Sequence, residues 1–154
     1  KLWGYFLDGK GNVIARDTGK GYVEFPGGGV KENETPGQAL IRESIEETGV
    51  IINGKLKKLG ILHFIWGKDW AKTEKQKERY KKFKGEEMHF FSGKIKKIDN
   101  KLKSEDSWER ENLIPIKDVI RLIEKNKPFP KNMRKYYEFQ LKAFKSLNNS
   151  IGNL

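Results

Sequence analysis

The sequence predicts a single α/β domain in which helices cover both faces of a mixed β-sheet, an α/β/α sandwich. Three observations carry that expectation. Short apolar runs of strand character surround one strongly punctuated helix, and amphipathic helical segments gather towards the C-terminus. No repeat, low-complexity stretch or linker divides residues 1–154, so the whole span reads as one domain.

The elements follow in order. Leu2–Leu7 and Asn12–Ala15 are strand-like, and Asp8-Gly9-Lys10-Gly11 between them is a hairpin-type turn. Tyr22–Phe25 is a further strand, stopped by Pro26 and three glycines. A helix is expected over Thr35–Glu47. Thr35 can cap it, Gln38 completes a capping box, Pro36 occupies the tolerated first position and Gly49 supplies the stop. Lys55–Trp66 and Glu87–Ile98 are two longer strands, separated by a Lys-rich insertion over 67–86 that carries Trp70, Tyr80 and Phe83. An acidic loop, Ser104–Glu111, leads into a short strand at Leu113–Ile116. Asp118–Lys125 is an amphipathic helix, and Pro128 and Pro130 break the chain before a last helix within 131–148. Met133, Tyr136, Tyr137, Leu141 and Phe144 form an aromatic-rich stripe on it, suited to a core face or a homodimer surface.

Composition narrows the function classes. No apolar run approaches the ~18 residues that a membrane-spanning helix needs, so no membrane partner is expected. The absence of cysteine excludes disulfides and thiolate metal sites, and a cytoplasmic location is the default. The net charge of +11, from 32 Lys and Arg against 21 Asp and Glu, suits anionic partners, but general solubility or thermal adaptation accounts for it equally well.

The chemistry concentrates between Gly28 and Val50. On the expected helix, Glu43, Glu46 and Glu47 stand at i, i+3 and i+4 and share one face. A solvated acidic face is the bland account of such a cluster. The sharper one is a site for a hard divalent cation, which relieves the mutual repulsion and accepts oxygen ligands. Mg²⁺ keeps waters and binds phosphates, so the pattern points to phosphoryl or pyrophosphate chemistry. The Gly27-Gly28-Gly29 run lets backbone approach a metal or a phosphate closely.

This segment resembles the Nudix box, Gly-x5-Glu-x7-Arg-Glu-U-x-Glu-Glu-x-Gly-U, where U is bulky and apolar. Gly28, Glu34, Arg42, Glu43, Glu46, Glu47, Gly49 and Val50 fall in register. Seven fixed identities, each arising roughly once in fifteen from average usage, make a chance match on the order of one in a million. The one departure is Ser44, at a position that packs helix on sheet.

The resemblance implies a Nudix fold and a hydrolase that cleaves a phosphoanhydride bond in a nucleoside di- or triphosphate derivative, with Mg²⁺ as cofactor and Mn²⁺ as an alternative ion. It implies that Glu43, Glu46 and Glu47 hold metal, with the Gly27 carbonyl as an additional ligand, and that Arg42 and Glu34 brace the glutamates. Activated water needs a carboxylate base. Glu43 is the first choice within the box; Glu105, Asp106, Glu109 and Glu111 are candidates on the acidic loop, and Glu86 or Glu87 a third option. The Glu24-Phe25-Pro26-Gly27-Gly28 lead-in is similar to that of the MutT-like branch, which makes sanitation of damaged dNTPs one specific expectation. Trp66 stands where many ADP-ribose enzymes of the family carry proline.

The insertion supports two readings. Eight Lys and Arg against three Asp and Glu over 68–84 suit a solvated surface. They equally suit a lid in which Lys81, Lys82 and Lys84 meet phosphate while Trp66, Trp70, Tyr80 or Phe83 stacks on a base. His63 and His89, without partners in the pattern, read as structural. A nucleotide- or RNA-binding module on the same fold, or an RNA 5′-end pyrophosphohydrolase, is the alternative class, and a purely structural interaction protein a third.

Overall fold

The structure, a computed structural model, describes residues 1–105, 107–109 and 112–152. Among them a seven-stranded mixed sheet is built from β1 (Leu2–Leu7), β2 (Asn12–Asp17), β3 (Val23–Glu24), β4 (Gly27–Gly28), β5 (Val50–Ile65), β6 (Gly85–Ile98) and β7 (Asn112–Pro115). The main strand order is β3-β2-β1-β6-β5, with β4 on β1 and β7 on β2. β1 and β6 run parallel, Leu2 opposite His89 and Leu7 opposite Lys94, while the other pairs are antiparallel.

Alternation along β1 and β6 sends side chains to two cores. On one face Leu2, Phe6, Val50 and Phe91 pack with Ala39 and Leu40 of α1 (Pro36–Thr48). On the other Tyr5, Val13, Met88 and Phe90 pack with Val119 and Ile123 of α3 (Ile116–Glu124) and with Leu141 and Phe144 of α4 (Arg134–Gly152). Each large side chain buried this way contributes roughly 1.5–3 kcal/mol. The expected three layers are present.

Several boundaries differ from the sequence reading. β5 starts at Val50, immediately after α1, instead of at Lys55. Val50, Ile51 and Ile52 pair with Ile98, Lys97 and Ile95, and register shifts around Asn53–Lys57 absorb the polar Asn-Gly-Lys stretch that looked like a break. Ile116 opens α3 instead of closing β7, and α4 continues past Leu147. The insertion contains a helix, α2 (Glu74–Lys82), capped by a Thr73/Gln76 capping box and carrying no buried residue. Its sequence has no apolar stripe, so hydrophobic periodicity does not reveal it.

Candidate active site on helix α1

Helix α1 is held at both ends by the residues that predicted it. Thr35 Oγ1 accepts the Gln38 N–H at 3.2 Å and Gln38 Oε1 accepts the Thr35 N–H at 3.0 Å, a cap that contributes about 1 kcal/mol. Gly49 closes the helix at φ 73°, its N–H donating to the Ile45 carbonyl. A Cβ there would collide with the Asp99 carbonyl, so both conformation and space require glycine. The helix lies beside β4, with Glu43 against Gly28: a Cβ on Gly28 would stand 2.5 Å from the Glu43 carboxyl carbon.

Arg42 organises this face. Its Nε and Nη2 donate to the two carboxylate oxygens of Glu34 at 2.6 and 3.1 Å, a bidentate pair. Its remaining N–H groups reach Glu43 at 3.1 Å, the Gly29 carbonyl at 3.3 Å and Glu46 at 3.5 Å. Hydrogen bonds from Arg42, then from the Lys31 amide, hold the Glu34 carboxyl down at about 2. The Gly28–Thr35 loop is therefore fastened to the helix through one guanidinium.

Glu47 is different from its two neighbours. It turns inward, and its Oε1 accepts the Gly27 N–H at 2.9 Å. Burial raises its pKa to about 7, opposed by the Gly27 hydrogen bond, reinforced by the Glu43 charge, and opposed again by a hydrogen bond from Trp108 and the charge of Arg16. Gly27 thus meets the site through its amide, whereas its carbonyl was the expected contact. Among the described residues no three acidic or histidine side chains converge on one point, because Glu43 and Glu46 lean onto Arg42 while Glu47 faces Gly27. The donor set still fits a hard cation. Burial and a neighbouring carboxylate oppose ionisation of Glu47, a conflict that a divalent ion would resolve.

The acidic loop meets α1 in a way the sequence reading missed. Ser104 donates its N–H to the Glu46 carbonyl and Trp108 donates its N–H to that of Glu47, which seats the loop on the last turn of the helix. Trp108 is buried, and the Arg16 guanidinium lies 4.8 Å from its ring centre while also pairing with Glu24. A lone aromatic in a run of charged residues was the available signal. Of the loop candidates for a base, Glu105 and Glu109 are exposed; Asp106 and Glu111 lie outside the described residues. Glu87 sits between two imidazoles, 3.1 Å from His89 and 3.6 Å from His63, and Glu86 lines a separate cavity.

That cavity, of about 580 Å³, collects part of the insertion. Trp66 and Trp70 lie on its wall with Phe64, Met88 and Met133, and the lysines at its edge are Lys68 and Lys72. Lys81 and Lys82 are exposed on α2 instead, and Lys84 is engaged with the carbonyl and ring of Tyr80. Phe83 is exposed to solvent.

Comparison with known proteins bears on this arrangement. A NUDIX domain model matches residues 5–138. An 8-oxo-dGTP diphosphatase of Proteus vulgaris is 60% identical over 30 residues, a match covering 20% of this chain and 27% of that relative's length. Among solved structures, a NUDIX hydrolase from Nitrosomonas europaea superposes with a TM-score of 0.57 at 19% identity, covering 90% of this chain and 86% of that one. A MutT structure from work on Aliivibrio salmonicida and Vibrio cholerae gives 0.53 at 18% identity, covering 92% and 93%. At such identities the superpositions establish the fold alone. The match that spans 5–138 goes further, because it takes in the end of β1, strands β2 to β7 and all of α1 with its three glutamates: the chain belongs to the NUDIX domain family.

Proposed function

We propose that this chain hydrolyses a nucleoside triphosphate or a related diphosphate derivative at a phosphoanhydride bond, with a divalent cation, Mg²⁺ or Mn²⁺, held by Glu43, Glu46 and Glu47. The observation that carries the reading is the helix face itself: Glu43 and Glu46 ride on Arg42 while Glu47 is buried with its charge opposed. The short match to an 8-oxo-dGTP diphosphatase supports a damaged deoxynucleotide as one substrate.

A divalent cation held by Glu43, Glu46 and Glu47 would supply charge neutralisation to the phosphoanhydride and a more acidic water. The residues of the chain do the rest. Arg42 keeps the Gly28–Thr35 loop against the helix, and the backbone at Gly29, where a Cβ would meet nothing within 4 Å, stays open for a phosphate. The Gly27 N–H and Trp108 hold the Glu47 carboxyl in one orientation. Glu43, which abuts Gly28, is the base within the box that receives the water proton. The water oxygen bonds to phosphorus as the bridging P–O bond breaks, and pyrophosphate or a nucleotide leaves.

The test is phosphate or pyrophosphate release from a panel of dNTPs, 8-oxo-dGTP, dinucleoside polyphosphates and 5′-triphosphorylated RNA with Mg²⁺ or Mn²⁺. Glu46→Gln and Glu47→Gln serve as controls. Metal-dependent turnover that both substitutions abolish is the expected result. No turnover on any substrate, with tight RNA binding that neither substitution alters, would replace the enzyme by a binding module.

A further inference from the structure

Trp66 and Trp70 are stacked with ring centres 3.7 Å apart and planes 4° from parallel. No other aromatic pair among the described residues is like this. The remaining contacts are inclined by 27° to 72°, and the two with the smallest inclination, Phe25 with Phe144 and Phe129 with Tyr137, have ring centres 5.2 Å apart. A parallel stack at van der Waals separation is the geometry in which a base lies on an aromatic platform.

The two rings are held unequally. Trp66 is 8% exposed and follows directly on β5; its N–H donates to the Lys84 carbonyl at 2.7 Å, and the Arg79 guanidinium lies 5.6 Å from its ring centre. Trp70 sits on the short connection between β5 and α2 and is tied locally by its N–H to the Gly67 carbonyl at 3.1 Å. One indole is fixed to the sheet, and the other is carried by the connection outside it. Both border the cavity of about 580 Å³, which Phe64 and Met88 line with apolar side chains and where Lys68 and Lys72 stand together with Asp69 and Glu86. Met88 is next to His89, which pairs with Leu2, and Leu2 pairs with Gly28. Two strand spacings, about 10 Å, therefore separate the Gly28 backbone from the strand that carries Met88.

We propose that Trp66 and Trp70 form an intercalation clamp for the nucleobase of a nucleoside phosphate: the base enters between the two indoles, Trp66 staying in place and Trp70 moving outward. This rests on the nucleotide reading above, and it assigns the base to the insertion. In the ligand-free protein Trp70 fills the slot that the base takes, which keeps the Trp66 face out of water.

The test uses GMP, which has no phosphoanhydride bond to cleave, and ribose 5-phosphate as its base-free control. Two stacked indoles give an exciton couplet in circular dichroism. GMP is expected to collapse the couplet and quench tryptophan emission, and ribose 5-phosphate to leave both unchanged. Trp70→Ala is expected to lack the couplet and to bind GMP roughly five- to a hundredfold more weakly, with Trp70→Phe recovering most of that loss. A couplet that survives GMP at its solubility limit overturns the clamp. So does tighter GMP binding by Trp70→Ala, which would make Trp70 a plug. Collapse of the couplet by GMP in a protein that hydrolyses no nucleotide would retain the clamp and remove the hydrolase reading. Turnover with an unresponsive couplet would do the reverse.

Discussion

Replacing Glu47 by glutamine is expected to stabilise the cation-free protein at alkaline pH while abolishing turnover. Burial, chiefly, raises the Glu47 pKa from 4.5 in the unfolded chain to about 7. Between those values the folded state holds a proton that the unfolded state has released. The stabilisation from that proton is complete below about pH 4.5 and is lost as pH rises through 7. At 1.4 kcal/mol per tenfold, the displacement has a ceiling of about 3 kcal/mol, and partial exposure of the carboxyl brings it to about 2 kcal/mol. Glutamine still accepts from the Gly27 N–H but has nothing to ionise. Urea unfolding in EDTA at pH 5 and pH 8 measures this: wild type should lose about 2 kcal/mol more than Glu47→Gln across the interval. If Glu47 holds the proposed cation, Mg²⁺ should recover the loss in wild type alone, because a cation favours the ionised carboxylate. Parallel pH profiles for the two proteins would refute the burial argument.

Three further outcomes follow from the same geometry. Ser44 is 1% exposed, and its hydroxyl has no partner; Ser44→Ala is expected to gain about 1 kcal/mol in thermal or urea unfolding with turnover unchanged. Gly28→Ala places a methyl against the flexible end of Glu43; kcat should fall on the order of a hundredfold through displacement of that carboxylate, with less than about 1 kcal/mol lost in unfolding. Trp108→Phe keeps the buried ring but removes the indole hydrogen bond to Glu47; the Mg²⁺ concentration for half-maximal activity should rise about tenfold with KM for nucleotide little changed.

The active helix was legible because its instructions are local. Thr35, Pro36, Gln38 and Gly49 act within a few residues of one another, and the spacing of Glu43, Glu46 and Glu47 needs only the helical period to bring them to one face. The long strands were legible wherever alternation held and were cut short where Asn53-Gly54-Lys55 interrupts β5. Helix α2 escaped, although Thr73 and Gln76 form the same capping box that marked α1, because no apolar stripe accompanies it.

Sequence by itself determined which residues face together on α1, the need for glycine at the end of that helix, and the family resemblance carried by the Gly28–Val50 spacing. Only tertiary structure decided that the three glutamates differ. Glu47 is turned inward by an amide from β4 and a tryptophan from a loop some sixty residues away, while Glu43 and Glu46 stay on Arg42. It alone paired Trp66 with Trp70 and put Lys68 and Lys72, not Lys81, Lys82 or Lys84, on the cavity they line. Helical period and caps are short-range properties of the chain, whereas burial and the charge acting on a buried group depend on which distant segments pack against it.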